Sequence, residues 1–297
     1  MAALLTPRDE LGALDTDALR RSVDFVIEHG ATGVSVNGAT GEYARATLDE
    51  RRCVVEAAAE ALGRGGVLIA GCGGATWNEC YTLAAHAFDS GAHAVLVPAP
   101  HFFSYEIDDI ETFYGELSHR LQGPILLYNL PQFAAALDAA MVMRLIREFR
   151  HIAGIKDSSG KLDTLRRLTV NGFADKHRIV GNDAALPAAL EVGCLNGVIS
   201  GVAGVLPELN VALFQAFASG DSDCKIRVLA LQRELLDHLA TLPVPWGLKL
   251  IGARRQSCAT AFPIPLSPRR TEQIRGFAEW FDGWCGRATE ILPLQFS

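Results

Sequence analysis

Short apolar runs alternate with longer amphipathic stretches over the first two hundred residues of the chain. Each run is rich in Val, Ile and Leu and is continuous rather than interleaved with polar residues, as expected of strands that are buried on both faces. The eight predicted strands are Ala3–Thr6, Gly33–Asn37, Val67–Gly71, Ala94–Pro98, Pro124–Asn129, Ile152–Lys156, Arg178–Gly181 and Gly197–Ser200.

The stretches between these runs carry signals for the ends of helices. Asp15 or Thr16 precedes the first stretch, and Gly30 follows it. Thr47 and Thr76 each precede a helical pattern that has Glu three residues later, which is the spacing of a capping box. The pattern therefore predicts a helix after each strand.

Eight alternating strand and helix units predict an α/β fold, a (β/α)8 TIM barrel with a C-terminal helical extension. The alternative is a doubly wound open sheet, which would place a glycine-rich phosphate loop after the first strand; Leu4–Arg8 contains no glycine. The alternation of apolar runs and amphipathic stretches stops after Pro207. We therefore predict that residues 1–206 form the barrel with the active site and that residues 207–297 form a helical extension packed on it.

Composition narrows the classes of partner. The 297 residues are 49% hydrophobic and 21% charged, which is ordinary for a globular protein. A net charge of −7 argues against nucleic acid or an anionic membrane as partner, and no apolar stretch has the length of a membrane span. The seven cysteines form no CxxC pair and have no histidine at zinc spacing, so we expect no metal site. Acidic residues within the first ten positions do not fit a secretory signal, and a cytoplasmic location is expected.

The end of the sixth strand carries the first candidate for chemistry. Lys156 follows Ile152–Ile155, so its side chain should lie at least partly inside an apolar wall, where lysine is rare without a partner or a chemical task. Desolvation favours the neutral amine, which attacks ketones and forms an imine. Tyr128 lies near the end of the neighbouring fifth strand, about 5 Å away, and its phenol could move protons for that amine.

The loop after the second strand is a candidate anion site. In Gly38-Ala39-Thr40-Gly41-Glu42, two glycines around a threonine let the backbone turn tightly and present N–H groups to a carboxylate. Glycine and threonine are also ordinary turn residues, so this loop gains weight only together with Lys156 and Tyr128.

Three segments together resemble the dihydrodipicolinate synthase / N-acetylneuraminate lyase family: Gly38–Glu42, Tyr128–Pro131 and Gly154–Asp157. The resemblance covers essentially the whole chain. It implies a class I, pyruvate-dependent lyase with Lys156 as the Schiff-base residue and Tyr128 as the proton-transfer phenol. It further implies no cofactor, a pyruvate-type 2-keto acid and an aldehyde as ligands, and a homotetramer built as a dimer of dimers. Thr40 and the amides of Gly38, Ala39 and Gly41 would hold the carboxylate, near Gly181 and Ile199.

Departures from the family pattern bear on the substrate. Ala39 stands where dihydrodipicolinate synthase has a hydroxyl residue, and Phe102 where that enzyme donates a tyrosine across its dimer interface. Phe133 stands where it has an arginine for a dicarboxylic product or aldehyde, and a phenyl ring cannot pair with a carboxylate. Asp183 matches an acid that contacts the sugar in the lyase, but Ala184 replaces the glutamate beside it.

The sequence therefore favours an aldolase or lyase that cleaves or forms a 2-keto acid from pyruvate and an aldehyde, of the 2-keto-3-deoxy sugar acid type. An aromatic or short aliphatic aldehyde is a further possibility for the second substrate, because the aldehyde side of the pocket would be lined by Phe102, Phe103 and Phe133. An equal alternative is that these rings serve only in packing. A dihydrodipicolinate synthase-like condensation and a keto-acid dehydratase are alternatives. So is a non-catalytic keto-acid-binding paralogue, suggested by the hydroxyls that are lost at Ala39 and Phe102.

Overall fold

The computed structural model describes residues 1–256 and 259–294 of the chain, which contain eight strands and eleven α-helices. The strands are β1 (Ala2–Ala3), β2 (Gly33–Val36), β3 (Val67–Gly71), β4 (Ala94–Pro98), β5 (Ile125–Asn129), β6 (Ile152–Asp157), β7 (His177–Val180) and β8 (Gly197–Val198). The helices are α1 (Thr16–Glu28), α2 (Leu48–Leu62), α3 (Trp77–Asp89), α4 (Ile107–Arg120), α5 (Ala139–Glu148), α6 (Asp163–Val170), α7 (Leu186–Val192), α8 (Pro207–Ser219), α9 (Ser222–Leu239), α10 (Trp246–Gln256) and α11 (Pro268–Ala288).

The eight strands form one parallel sheet in chain order, and the sheet closes on itself. Ala2 forms a parallel bridge with Ser200, and the N–H of Ala3 donates to the Ser200 carbonyl over 2.8 Å. An α-helix follows every strand. These features confirm the predicted (β/α)8 TIM barrel with helices continuing beyond it.

The predicted strands differ from the observed ones mainly at the seam of the barrel. β1 is Ala2–Ala3 rather than Ala3–Thr6, and β8 ends at Val198 rather than Ser200. Between these two strands the ladder is reduced to a single bridge. Thr6 lies beyond β1, and its hydroxyl donates a hydrogen bond to the Gly41 carbonyl. The bounds of β3 and β4 are those predicted. β2, β5 and β6 differ from the prediction by one residue at one end, and β7 lies one residue earlier at both ends.

Helix α8 follows β8 as the eighth helix of the repeat, and α9, α10 and α11 continue beyond it. The division of the chain into residues 1–206 and 207–297 stays a prediction. No helix in the described ranges combines the length and the apolar character that crossing a membrane requires.

The helix caps agree with the sequence pattern. Asp15 accepts a hydrogen bond from the N–H of Ala18 at the start of α1. The Thr47 hydroxyl accepts from the N–H of Glu50, whose carboxylate accepts in turn from the N–H of Thr47, and the same reciprocal pair starts α3. The predicted capping boxes are therefore confirmed.

Apolar side chains fill two layers, one between the sheet and the helices and one inside the barrel. The inner layer consists of Ala3, Ile69, Ala94, Leu96, Leu126, Tyr128, Leu130, Ile179 and Ile199. Since Tyr128 belongs to this layer, any side chain beside it on β6 also faces the barrel interior.

A bulge in β6 sets which of its side chains face inward. Ile152 pairs with Ile125, whereas Gly154 pairs with Leu126, so Ala153 is an extra residue relative to β5. Side chains alternate between the two faces along a strand. One extra residue therefore moves every later side chain of β6 to the face opposite to the one that strict alternation would give it.

The consequence of the bulge is that Lys156 pairs with Tyr128 in register and shares its inward face. Gly154 makes the bulge possible, with φ of +152°. A Cβ at this position would lie 2.1 Å from the carbonyl oxygen of His177 in β7, so only glycine fits there.

Candidate active site

A cleft of about 430 Å³ opens at the C-terminal end of the barrel strands. Lys156, Tyr128 and Ile199 line it from the barrel, and Ala39 and Thr40 line it from the loop after β2. The carboxyl ends of the strands are where TIM barrels place their chemistry. A larger cavity, about 720 Å³, lies at the other end near Met1, and its described lining residues include no acidic residue, lysine or arginine.

Lys156 and Tyr128 lie side by side in the cleft. Each is only 3% exposed, and Nζ of Lys156 lies 3.4 Å from the phenolic oxygen of Tyr128. The same Nζ is 4.6 Å from the centre of the Tyr128 ring. The amine is thus buried in an apolar wall with the phenol as its hydrogen-bond partner, an arrangement suited to nucleophilic attack assisted by proton transfer.

Gly181, at the end of β7, leaves the room that the lysine occupies. A Cβ at Gly181 would lie 2.6 Å from Cε of Lys156 and 2.2 Å from Oγ of Ser158. Ser158 is 7% exposed and lines the cleft, and its hydroxyl has no hydrogen-bond partner among the described residues. A buried, unpaired hydroxyl beside the amine is available to a ligand.

The loop after β2 brings two N–H groups that have no partner in the described residues to the edge of the cleft. Asn37 and Glu42 both have left-handed backbone conformations, with φ of 54° and 50°, and bracket Gly38–Gly41. Ala39 and Thr40 line the cleft, and within the described ranges their N–H groups donate no hydrogen bond to another residue. Free N–H groups in such a turn bind carboxylates.

An ion pair fastens this loop to the helices beyond the barrel. Nζ of Lys249, in α10, lies 2.5 Å from Oε2 of Glu42 and donates to the carbonyl of Ala261 over 2.6 Å. Both charged side chains are largely buried, 9% and 13% exposed. Burial lowers the pKa of Lys249, and the Glu42 carboxylate opposes that shift. The neighbouring Leu248 lines the cleft, so α10 contributes a wall as well as a fastening.

Asp183 lines the cleft, but both of its carboxylate oxygens accept hydrogen bonds within the chain. Oδ1 accepts from the Ser200 hydroxyl, and Oδ2 accepts from the N–H of Val202 over 3.4 Å. Burial raises the pKa of Asp183, and the hydrogen bond from Ser200 acts against that rise. The acid therefore joins the loop after β7 to the loop after β8.

The remaining predicted residues differ in whether they reach the cleft. Phe133 lines the cleft and is 59% exposed, whereas Gly38 and Gly41 shape the loop without lining it. Phe102 lies outside the cleft of its own chain: it is 86% exposed, has φ of +81° and packs edge-on against Phe103 at 4.9 Å between ring centres.

Sequence reasoning missed Ser158 and the wall that the C-terminal segment contributes. That wall comprises Leu236, Leu239, Ala240, Pro243, Val244, Pro245, Gly247 and Leu248. The serine follows Lys156 by two residues, which on a strand places it on the same face and could have identified it. In residues 1–256 and 259–294, no group of three or more His, Cys, Asp or Glu side chains could hold a metal ion.

Comparison with known proteins gives a consistent family. Residues 1–278 match the model of the dihydrodipicolinate synthetase family. A 4-hydroxy-tetrahydrodipicolinate synthase of Methanopyrus kandleri is 32% identical over 256 residues, 84% of this chain and 85% of that protein. The enzyme of the same name from Thiobacillus denitrificans is 32% identical over 277 residues, 90% of each chain.

Solved structures extend the likeness to three dimensions. Dihydrodipicolinate synthase of Aquifex aeolicus has a TM-score of 0.88 at 25% identity, covering 95% of this chain and 96% of that one. N-acetylneuraminate lyase of Mycoplasma synoviae has a TM-score of 0.82 at 23% identity, covering 96% of each chain, which is a likeness of fold.

Proposed function

The chain belongs to the dihydrodipicolinate synthetase family, which comprises class I lyases and aldolases, and from that premise we propose that Lys156 forms a Schiff base with pyruvate or a related 2-keto acid. In this reaction the enzyme cleaves the keto acid into pyruvate and an aldehyde, or runs the reverse. The observation that carries the proposal is the 3.4 Å separation between Nζ of Lys156 and the hydroxyl of Tyr128 inside an apolar wall.

The remaining cleft residues supply the other steps. The N–H groups of Ala39 and Thr40 hold the substrate carboxylate, which orients C2 towards Nζ. The amine adds to C2, and Tyr128 passes protons as the carbonyl oxygen leaves as water and the imine forms. The protonated imine then accepts the electron pair of the breaking C3–C4 bond, while the deprotonated Tyr128 takes the proton of the C4 hydroxyl and the aldehyde departs. Tyr128 returns a proton to C3 of the enamine, and water hydrolyses the imine to release pyruvate.

Ser158 supports a substrate with a hydroxyl at C4, a group that 2-keto-3-deoxy sugar acids share with every other aldol product of pyruvate. Its unpaired hydroxyl lies beside the lysine, and we therefore place C4 of an imine-bound substrate next to it. A condensation that yields a dicarboxylate receives less support, because Lys156 is the one lysine or arginine among the described residues that line the cleft. A keto-acid dehydratase would use the same imine and is distinguished by its product.

The decisive experiment is borohydride reduction in the presence of pyruvate, read by intact mass and peptide mapping. We expect the wild type to gain the mass of pyruvic acid less one oxygen atom, on Lys156, and Lys156→Ala to gain none. A wild type without an adduct would overturn the proposal.

The non-catalytic alternative is separated from the enzyme by proton exchange. An enzyme that forms the enamine will exchange the methyl protons of pyruvate in deuterated water, at a rate that falls in Tyr128→Phe. A protein that traps pyruvate under borohydride but exchanges no methyl protons would be a keto-acid-binding paralogue.

We further propose a cytoplasmic homotetramer, a dimer of dimers in which Phe102 borders the site of a neighbouring subunit. The exposed pair Phe102 and Phe103, 86% and 65% accessible in the single chain, supports an interface there. The six described cysteines are free thiols, which fits a reducing compartment. Light scattering after size exclusion tests the assembly, and a monomeric enzyme with full activity would contradict it.

A further inference from the structure

The cleft beyond Ser158 has an apolar wall along one side. Eight lining residues come from the end of α9, the following connection and the start of α10, and none of their side chains carries a hydrogen-bond donor or acceptor: Leu236, Leu239, Ala240, Pro243, Val244, Pro245, Gly247 and Leu248. Leu130 and Phe133, from the end of β5 and the turn after it, add further apolar surface.

Polar groups that remain available to a ligand lie at the reacting end of the cleft. The free hydroxyl of Ser158 lies beside Lys156. Gln132 donates from Nε2 to the Ser158 carbonyl over 3.3 Å, and Asn182 accepts from the N–H of Ala184 over 3.0 Å, so each is partly engaged. The hydroxyl that they can serve is the one at C4, and every aldol product carries it, whichever aldehyde is used.

Charged groups are also absent from the distal part of the cleft. In the whole cleft, the described lining residues include two charged side chains, Lys156 and Asp183. Both carboxylate oxygens of Asp183 already accept hydrogen bonds from the protein. A carboxylate, an ammonium group or a chain of hydroxyls on the aldehyde would lose its hydration there without gaining partners.

We propose that the second substrate of this site is an aldehyde with an uncharged hydrocarbon body, short aliphatic or aromatic, and not a polyhydroxylated or carboxylated one. This inference rests on the proposed Schiff-base function. In the synthetic direction, Tyr128 carries the proton that the pyruvate methyl group loses when the enamine forms. C3 of the enamine bonds to the aldehyde carbon, and the aldehyde oxygen takes that proton from Tyr128 to become the C4 hydroxyl. Water then hydrolyses the imine and releases the 2-keto acid.

The test measures kcat/KM for pyruvate-dependent aldol addition to matched aldehydes, corrected for the hydrated fraction of each. We expect kcat/KM to rise about fourfold per methylene from acetaldehyde to butanal, the factor that corresponds to burying one methylene. Glyceraldehyde should fall at least tenfold below propanal, its match in carbon number, and succinic semialdehyde at least tenfold below butanal. Benzaldehyde should be accepted.

A pair of variants tests the wall itself. Phe133→Arg adds a cation to the cleft and should lower kcat/KM for benzaldehyde while raising it for succinic semialdehyde. Val170→Arg is the matched control, because Val170 is 79% exposed at the end of α6 and lies outside the cleft lining. It should leave both values unchanged.

The outcomes separate the two proposals. If no borohydride adduct with pyruvate forms, the Schiff-base function itself fails. If the adduct forms but glyceraldehyde matches or exceeds propanal, or if no hydrocarbon aldehyde is turned over, the Schiff base stands and the inference about the aldehyde is wrong.

Discussion

Replacing Gly154 by alanine tests whether the bulge in β6 is what delivers the lysine to the site. Gly154 follows the extra residue of the bulge and has φ of +152°. A Cβ there would lie 2.1 Å from the carbonyl oxygen of His177 and 2.6 Å from its nitrogen. These atoms belong to the backbone of β7, so the contact cannot be relieved by turning a side chain.

Two costs add in Gly154→Ala. A backbone conformation that disfavours L-residues costs about 1–3 kcal/mol, and overpacking against the neighbouring strand costs about 1–3 kcal/mol more. We expect the free energy of unfolding to fall by about 2–6 kcal/mol, which for a chain of this size lowers Tm by about 5–20 °C. Because β6 must shift away from β7, Nζ of Lys156 moves relative to Tyr128, and a displacement of about 1 Å can cost roughly a hundredfold in rate.

The assay combines a thermal melt with the rate of borohydride trapping by pyruvate, measured well below the Tm of the variant. Gly172→Ala is the control: Gly172 has φ of +82° and nothing within 4 Å of an added Cβ, so it carries the backbone cost without the collision. The free energy of unfolding of Gly172→Ala should be lower by about 1–2 kcal/mol, and its rate of borohydride trapping should be that of the wild type. If the two variants have the same Tm and the same rate of pyruvate trapping, the close approach of β7 does not position the lysine, and that reasoning is refuted.

Three further predictions follow from the site and its surroundings. Tyr128→Phe should keep the fold and still trap pyruvate, with kcat lowered about 10²- to 10⁴-fold because the proton-transfer group is lost; an unchanged kcat would contradict its role. Lys249→Met should raise KM for pyruvate roughly tenfold with little change in kcat, because the loop that carries Glu42 is released, and Lys249→Arg should restore most of the affinity; a fall in kcat alone would argue against positioning. Burial raises the pKa of Cys72 and of Cys80 from 9.0 to about 12, so the unfolded chain releases these protons first and stability falls as pH rises from 9 towards 12. At pH 10 the loss is about 1.4 kcal/mol per thiol, and denaturant titrations at pH 8 and 10 should show a smaller loss in the Cys72→Ala, Cys80→Ala double variant; equal losses would count against the shifts.

Periodicity was sufficient to predict the barrel, because most strand residues are buried on both faces of the sheet and helices such as α1, α5 and α6 have one apolar stripe. The capping boxes at Thr47 and Thr76 depend on residues three apart, so they too are visible in the sequence. The ends of β1 and β8 were not predictable in the same way. Their apolar runs continue through Thr6 and Ser200, and only the closure of the barrel decides where the ladder stops.

The site was predictable where local chemistry is unusual and unpredictable where distant segments meet. A lysine at the end of an apolar strand is visible in the sequence, whereas the bulge that turns it inward depends on the pairing of β6 with β5. Strict alternation from Ile152 would instead have put Lys156 on the same outward face as that isoleucine. The apolar wall that includes Leu239 and Leu248 comes from residues eighty or more positions after the lysine, and no local pattern connects them to it.

The contact between Lys249 and Glu42 couples the loop after β2 thermodynamically to helix α10. If docking of α10 favours the loop conformation that binds a carboxylate, then carboxylate binding must favour docking of α10 by the same free energy. Occupancy of the barrel by a keto acid should therefore slow amide exchange in α10, a segment whose Lys249 touches the loop and not the reacting atoms. Any condition that loosens this helix, from a distant substitution to mild denaturant, will weaken keto-acid binding before the barrel itself unfolds.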